Sequence, residues 1–141
     1  MKRYLLIVSA ILLVLFNGVP ARAETPQFDG TWKVTLTCES SFNSPGYTYN
    51  FVAQVKNSIL LGQYGEENKP SSLKITGQIE PDGKSMLQAT GQVGKIGPKG
   101  MAQGQTYDYT VEAQFIGSQG TGKRVSLRNN PRKCEFVFVK Q

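Results

Sequence analysis

The sequence predicts an all-β protein, an antiparallel up-and-down barrel of eight strands, with a β-sandwich as the alternative. Apolar and polar residues alternate along most of residues 24–141, and this period of two is typical of strands that bury one face. No segment in that range shows a helical period of useful length. The alternating stretches are separated by runs rich in Gly, Pro, Asn, Asp and Ser, which are typical of turns and loops.

Residues 1–23 have the features of a secretory signal peptide. Two basic residues follow the initial Met, residues 4–16 are almost wholly apolar, and Ala21-Arg22-Ala23 supplies small residues around a cleavage site. The apolar run is 13 residues long. A helix of that length does not span a bilayer core of about 30 Å. The sequence therefore predicts a periplasmic or secreted protein without a stable membrane span, whose mature chain, residues 24–141, is a single barrel domain.

Eight stretches fit the strand period, and their apolar residues define the predicted interior. In the first stretch, Trp32, Val34, Leu36 and Cys38 alternate with polar residues. The last stretch is apolar on both faces apart from Glu135. The predicted strands cover residues 32–38, 47–55, 59–64, 73–79, 87–93, 107–115, 123–127 and 134–139, of which the third and seventh are the weakest.

The connections between these strands differ in length. Short turns are predicted at 56–58 and 81–83, and a somewhat longer Gly-rich turn at 116–122. The connections after the first, third, fifth and seventh strands are mostly longer and richer in Gly, Pro and charge; they are residues 39–46, 65–72, 94–106 and 128–133. Because consecutive connections of a meander alternate between its two ends, the longer loops gather at one end. We call this the long-loop end, and the opposite one the short-turn end.

The two cysteines predict one disulfide. Cys38 ends the first strand and Cys134 begins the eighth, so both fall at the long-loop end, where a bridge would latch the closing seam of a barrel. The chain contains no His, which excludes Ser–His and Cys–His catalysis. Two thiols alone do not complete a zinc shell, so neither a metal nor a cofactor is expected.

The charge is concentrated in the second half of the mature chain. Without the three basic residues of the signal peptide, the 16 basic residues become 13 against 10 acidic ones, so the net charge falls from +6 to +3. Residues 84–141 hold 9 basic and 3 acidic residues. Such a surface attracts anionic partners, although a hydrated surface that keeps the protein soluble is the plainer interpretation.

Strands two and six are nearly the same sequence. YTYNFVAQV at 47–55 and YDYTVEAQF at 107–115 share Tyr-x-Tyr and Ala-Gln. The alternation directs the second Tyr of each strand inwards and leaves Tyr47 and Tyr107 at the rim of the long-loop end. Basic residues map to the same end, and basic groups around aromatic rings suit an anion. The candidate binding residues are Tyr47, Tyr107, Lys95, Lys99, Arg128, Arg132 and Lys133.

Two other stretches suggest chemistry. Residues 117–124, GSQGTGKR, are similar to a phosphate-binding loop but have Arg124 where that loop needs Ser or Thr, so we interpret them as a hairpin turn. Paired carboxylates could hydrolyse a glycoside. The candidates for such a pair are Glu39, Glu66, Glu67 and Asp108.

The run Asp29-Gly30-Thr31-Trp32 resembles the Gly-x-Trp start of lipocalins and the Gly-Thr-Trp start of avidin-type barrels. The resemblance implies that Trp32 plugs the short-turn end and that a ligand enters at the opposite one. Biotin binding is not implied, because biotin-binding barrels need several Trp residues and this chain has one. Together with Arg132-Lys133-Cys134-Glu135-Phe136, the run also looks like small exported bacterial domains of unknown function.

These features predict an exported, non-catalytic binding protein that engages a small anionic ligand, or an envelope or extracellular protein, through the long-loop end. An inhibitor of an extracellular or periplasmic hydrolase belongs to this class. Nucleic acid is not expected, because the alternation turns most aromatic residues inwards and export removes the usual target. The alternatives are a carboxylate-based hydrolase and a structural or adhesion protein without a discrete pocket.

Overall fold

The computed structural model describes residues 26–125 and 132–141, so the predicted signal peptide lies outside the described residues. The described chain is all-β. Its eight strands are β1 Gly30–Cys38, β2 Tyr47–Lys56, β3 Ile59–Tyr64, β4 Leu73–Gln78, β5 Lys84–Gln92, β6 Thr106–Ile116, β7 Gln119–Arg124 and β8 Cys134–Lys140. Within the described ranges, no helix is long and apolar enough to cross a membrane.

The strands form one closed antiparallel barrel in sequence order. Each strand pairs with the next, and the seam between β1 and β8 is paired from Trp32 opposite Lys140 to Cys38 opposite Cys134. Closure leaves no unpaired strand edge, which removes the surface on which open sheets aggregate. The predicted barrel is confirmed, and the sandwich alternative is wrong.

The interior follows from the alternation of apolar residues along each strand. Apolar side chains on the inner face of every strand but the glycine-rich β7 form one cluster, and the largest members with under 2% exposure are Trp32, Phe115, Phe136, Phe138, Leu36, Leu60, Leu73, Ile75, Ile79 and Leu87. Burying each of the larger side chains stabilises the fold by about 1.5–3 kcal/mol. The first strand shows the pattern most clearly, because the side chains of Trp32, Val34 and Leu36 have no exposed surface.

The seventh strand lies earlier in the chain than its predicted position of 123–127. The predicted turn at 116–122 is only two residues long, Gly117-Ser118, and β7 begins at Gln119. Two of the three glycines that suggested a loop, Gly120 and Gly122, are inward-facing strand residues. A Cβ at Gly120 would lie 2.6 Å from Cδ1 of Phe115, so the missing side chain makes room for that ring. Residues 126–127 of the predicted strand lie outside the described residues.

The short-turn end is closed by packed aromatic rings. Trp32 and Phe115 meet edge to face with ring centroids 5.3 Å apart, and Phe28 covers Phe115 at 6.0 Å. The Trp32 indole N–H donates to the carbonyl of Phe28 at 2.9 Å. Trp32 therefore lies where the Gly-x-Trp resemblance implied, and its one polar atom has a partner.

Asp29 holds a turn at the same end. Its carboxylate accepts hydrogen bonds from the backbone N–H of Asn57 at 2.7 Å and of Ser58 at 2.9 Å. Both turn residues have positive φ, 52° and 64°, as a two-residue hairpin of the right twist requires. The Asp-Gly-x-Trp run thus has a structural explanation in this protein: its first residue binds a neighbouring turn and its last fills the core.

The predicted disulfide is confirmed. Cys38 and Cys134 are bonded across the β1–β8 seam, 96 residues apart in sequence. The bridge lies at the long-loop end, where β1 ends and β8 begins. Such a bond is consistent with an oxidising extracellular compartment.

Candidate functional site

The long-loop end of the barrel encloses a cavity of about 710 Å³. Its walls are the ends of β2, β5, β6 and β7, and two loops, residues 39–46 and 93–105, form its rim. The loops are joined directly, because the backbone N–H of Lys99 donates to the carbonyl of Asn43 at 2.7 Å. The volume lies within the usual range for small-molecule sites, about 300–1,000 Å³.

Tyr47 and Tyr49 form a tyrosine wall of the cavity, and Tyr64 packs behind them. The rings of Tyr47 and Tyr49 have centroids 4.5 Å apart, and Tyr49 stacks on Tyr64 at 3.8 Å with an interplanar angle of 12°. All three side chains are half-buried and pack on the core cluster. Burial raises the pKa of Tyr49, and the neighbouring hydroxyl groups of Tyr47 and Tyr64 raise it further. The wall is therefore aromatic, and the Tyr49 hydroxyl is protonated at neutral pH.

The tyrosines of β6 lie deeper. Tyr107 lines the cavity, and its ring crosses Gly91 of β5 so closely that a Cβ there would lie 2.5 Å from the Tyr107 hydroxyl oxygen. Tyr109 is buried, and its hydroxyl lies near that of Tyr47 but forms no hydrogen bond of normal geometry within residues 26–125 and 132–141. Burial is the main cause that raises the pKa of Tyr107 and of Tyr109 well above the usual value of 10.0, and the Tyr47 hydroxyl adds to it.

Arg132 was predicted as a binding residue, and the structure places it in the cavity wall but buries it. Its guanidinium donates to the carbonyl of Glu39 at 3.2 Å, to the Ser44 hydroxyl at 2.5 Å and to the carbonyl of Pro45. It also lies over the Tyr47 ring, 4.8 Å from the centroid. Arg132 therefore holds the 39–46 loop against the barrel, and three of its five N–H donors are committed to that loop.

Arg124 is a cavity residue that the sequence reasoning missed. It ends β7 with the inward parity of Gly120 and Gly122, and its guanidinium lies over the Tyr109 ring, 4.5 Å from the centroid. The Nε atom is buried and has no hydrogen-bond partner among the described residues. Alternate residues of a strand face the same side, so Gly120, Gly122 and Arg124 all face inwards. The sequence pattern did not reveal these inward positions, because the inner face of the strand carries glycines instead of apolar side chains.

The remaining predicted residues lie in different places. Lys95 and Lys99 are exposed on the rim of the long-loop end and line the cavity, and the Lys99 Nζ lies 5.8 Å from the Phe42 ring centroid. Lys133 is exposed but does not line the cavity. Arg128 lies outside the described residues.

The carboxylates of the hydrolase alternative do not line the cavity. Glu67 pairs with Lys74 on the surface at 3.2 Å, and Asp108 accepts a hydrogen bond from Gln88 at 3.3 Å on the outer face. Residues 26–125 and 132–141 contain no group of three His, Cys, Asp or Glu residues placed to hold a metal ion. The hydrolase alternative stays a prediction without a supporting constellation in the described part of the chain.

Comparisons with protein-family models, with curated proteins and with solved structures find no match to this chain.

Proposed function

We propose that this chain is an exported, non-catalytic binding protein that holds a small anionic ligand in the cavity at the long-loop end of its barrel. The observation that carries the proposal is the composition of that cavity. Four cationic side chains and three tyrosines line it, and none of its described lining residues is Asp or Glu; the cations are Lys95, Lys99, Arg124 and Arg132.

The charge favours an anion for two reasons. Positive groups on one side of a concave, partly enclosed surface raise the local concentration of anions and speed their arrival. Inside the cavity, the effective dielectric constant is lower than in water, so a guanidinium or ammonium group attracts a bound anion more strongly. Lys95 and Lys99 are exposed on the rim, where they attract anions towards the cavity. Arg124 lies inside the cavity, where the lower dielectric constant strengthens its attraction for a bound anion.

The aromatic wall supports a ligand with an apolar or flat part. The faces and edges of Tyr47, Tyr49 and Tyr107 form a surface that an apolar group can cover without leaving a polar group unpaired. A cavity of this kind does not favour the structural or adhesion alternative, which expects a solid interior.

Native mass spectrometry tests the proposal. The mature protein, exposed to a small-molecule extract of the source cells, should retain a ligand in one-to-one ratio. A variant with Lys95→Glu and Lys99→Glu should lose most of this ligand. The matched control carries Lys33→Glu and Lys123→Glu, which make the same charge change at exposed wall residues away from the cavity, and it should retain the ligand. Wild-type protein without any adduct, or equal retention in both variants, would contradict the proposal.

A second candidate is a protein partner docked on the same rim, and the observation that favours it is exposed apolar surface. Phe42 is 93% exposed and Ile96 is 81% exposed, one on each rim loop. The variant with Phe42→Ser and Ile96→Ser separates the candidates. It should still take up the small ligand, whereas a protein partner recovered by pull-down with the wild type should be lost.

A further inference from the structure

Arg124 differs from the other cations of the cavity because one atom of its guanidinium is buried without an acceptor in the described ranges. Lys95 and Lys99 are exposed and hydrated on the rim, and Arg132 donates to three acceptors of the 39–46 loop. The buried Nε of Arg124 has no acceptor within the described residues, although hydrogen-bonding groups in protein interiors are nearly always paired. Arg124 lines the cavity, so an anion that enters the cavity can approach its guanidinium.

No carboxylate neutralises Arg124 within the described part of the chain. The ion pairs found there are Lys74–Glu67 and Lys84–Asp82, both on the surface. The acidic residues of the neighbouring strands, Asp108, Glu112 and Glu135, are exposed on the outer face. A guanidinium turned towards a barrel interior without a counter-charge is costly, and an anion that enters the cavity removes part of that cost.

The ring of Tyr109 forms the layer beneath Arg124. The guanidinium lies over the ring of Tyr109, whose side chain is 6% exposed and whose hydroxyl has no partner in the described ranges. A cation–π contact of this kind is made by a face of the guanidinium and does not use its N–H donors, so these stay available to an acceptor. Two oxygens of a carboxylate or sulfonate fit such a fork in a bidentate manner.

We propose that Arg124 is the specificity-determining residue of the cavity, which receives the oxyanion of an aromatic or otherwise apolar acid whose flat part lies against Tyr47, Tyr49 and Tyr107. This inference rests on the proposed function. Each cation then has a different role. The rim lysines attract the ligand, Arg124 binds its oxyanion, and Arg132 holds the 39–46 loop. Ligands of this class carry one carboxylate or sulfonate on a flat apolar body smaller than the cavity.

Two fluorescent probes that differ by one sulfonate test this assignment. 8-Anilinonaphthalene-1-sulfonate has an oxyanion, and N-phenyl-1-naphthylamine has the same ring system without it. The wild-type mature protein should bind both in one-to-one ratio, with the sulfonate about tenfold or more tighter, because a charge-assisted bond to Arg is added. Arg124→Gln should remove this preference by weakening the sulfonate alone, with the affinity for the neutral probe within about twofold of wild type.

The matched control is Lys123→Gln, which removes the same charge from the adjacent, outward-facing residue. It should leave both affinities unchanged. Arg124→Lys keeps the charge without the fork, so it should retain part of the preference, and it provides a second test if Arg124→Gln does not fold.

The outcomes separate the two proposals. If neither probe binds the wild type, the cavity does not take small ligands, and both proposals fail. If both probes bind but the wild type shows no preference, or if Arg124→Gln weakens both equally, the cavity function stands and the role of Arg124 is wrong. Loss of the preference in Lys123→Gln would also overturn the assignment, because it would show an effect of net charge alone.

Discussion

The two ends of the barrel use aromatic residues in opposite ways. At the short-turn end, Trp32, Phe28 and Phe115 are buried, and the indole N–H donates to a carbonyl. At the long-loop end, half-buried tyrosines line a cavity, and both the Tyr109 hydroxyl and the Arg124 Nε lack partners in the described ranges.

Under the proposed function, this difference separates the residues that stabilise the fold from those that bind a ligand. Trp32, Phe28 and Phe115 stabilise the fold because they are buried and the one polar side-chain atom among them is hydrogen-bonded. An end with spare donors and open aromatic faces costs stability, which a bound molecule can restore by mass action. The disulfide complicates this division, since it lies at the long-loop end and yet constrains the whole chain. Four predictions test the comparison.

The disulfide should have the largest effect. Replacing both Cys38 and Cys134 with Ala should lower the free energy of unfolding by about 4–5 kcal/mol, because a loop closed over 96 residues no longer restricts the unfolded chain. Denaturant unfolding measures the change, and wild-type protein in reductant should match the double variant. A loss below about 1 kcal/mol would mean that β1 and β8 pair stably without the disulfide.

Trp32→Ala should lower the free energy of unfolding by about 3–5 kcal/mol, because it empties the fully buried centre of the short-turn end. Tyr49→Ala, at a half-buried ring of the long-loop end, should cost less than about 2 kcal/mol. Urea unfolding at one pH compares the two variants. Equal losses would remove the proposed contrast between a packed end and an open one.

The sequence anticipates the parts of this contrast that depend on strand geometry. Side-chain parity and loop lengths follow from the pleat and from antiparallel order, so the barrel, the disulfide and the gathering of the long loops were predictable. The roles of Arg124 and Arg132 could not be predicted from the sequence. Arg132 is buried because it donates hydrogen bonds to a loop that is distant in sequence; its acceptor Glu39, for example, lies 93 residues earlier. Arg124 follows Gly120 and Gly122, which give the inner face of β7 no apolar signal.

Alkaline pH should destabilise the protein through the long-loop end. Burial raises the pKa of Tyr107 and Tyr109 above the unfolded value of 10.0, so the folded state keeps protons that the unfolded state releases. The stabilising contribution is complete below pH 10 and is lost as the pH rises towards the folded pKa values. Each tyrosine should contribute about 1.4 kcal/mol per pH unit in that window. Urea unfolding between about pH 9 and pH 11 should show this slope, and the Tyr107→Phe, Tyr109→Phe double variant should flatten it.

Tyr109→Phe alone should have the smallest effect and the opposite sign at neutral pH. Its hydroxyl is buried without a hydrogen-bond partner among the described residues, and burying such a group costs about 1–3 kcal/mol. Removing the hydroxyl while keeping the ring beneath Arg124 should therefore raise the free energy of unfolding by about 1 kcal/mol. Tyr64→Phe, at a half-buried ring behind the tyrosine wall, is the control and should change it little. Urea unfolding of both variants without ligand decides the matter. If Tyr109→Phe instead destabilises the protein, the Tyr109 hydroxyl has a hydrogen-bond partner in the folded chain. Arg124 would then be the unpaired donor that distinguishes the long-loop end in the described ranges.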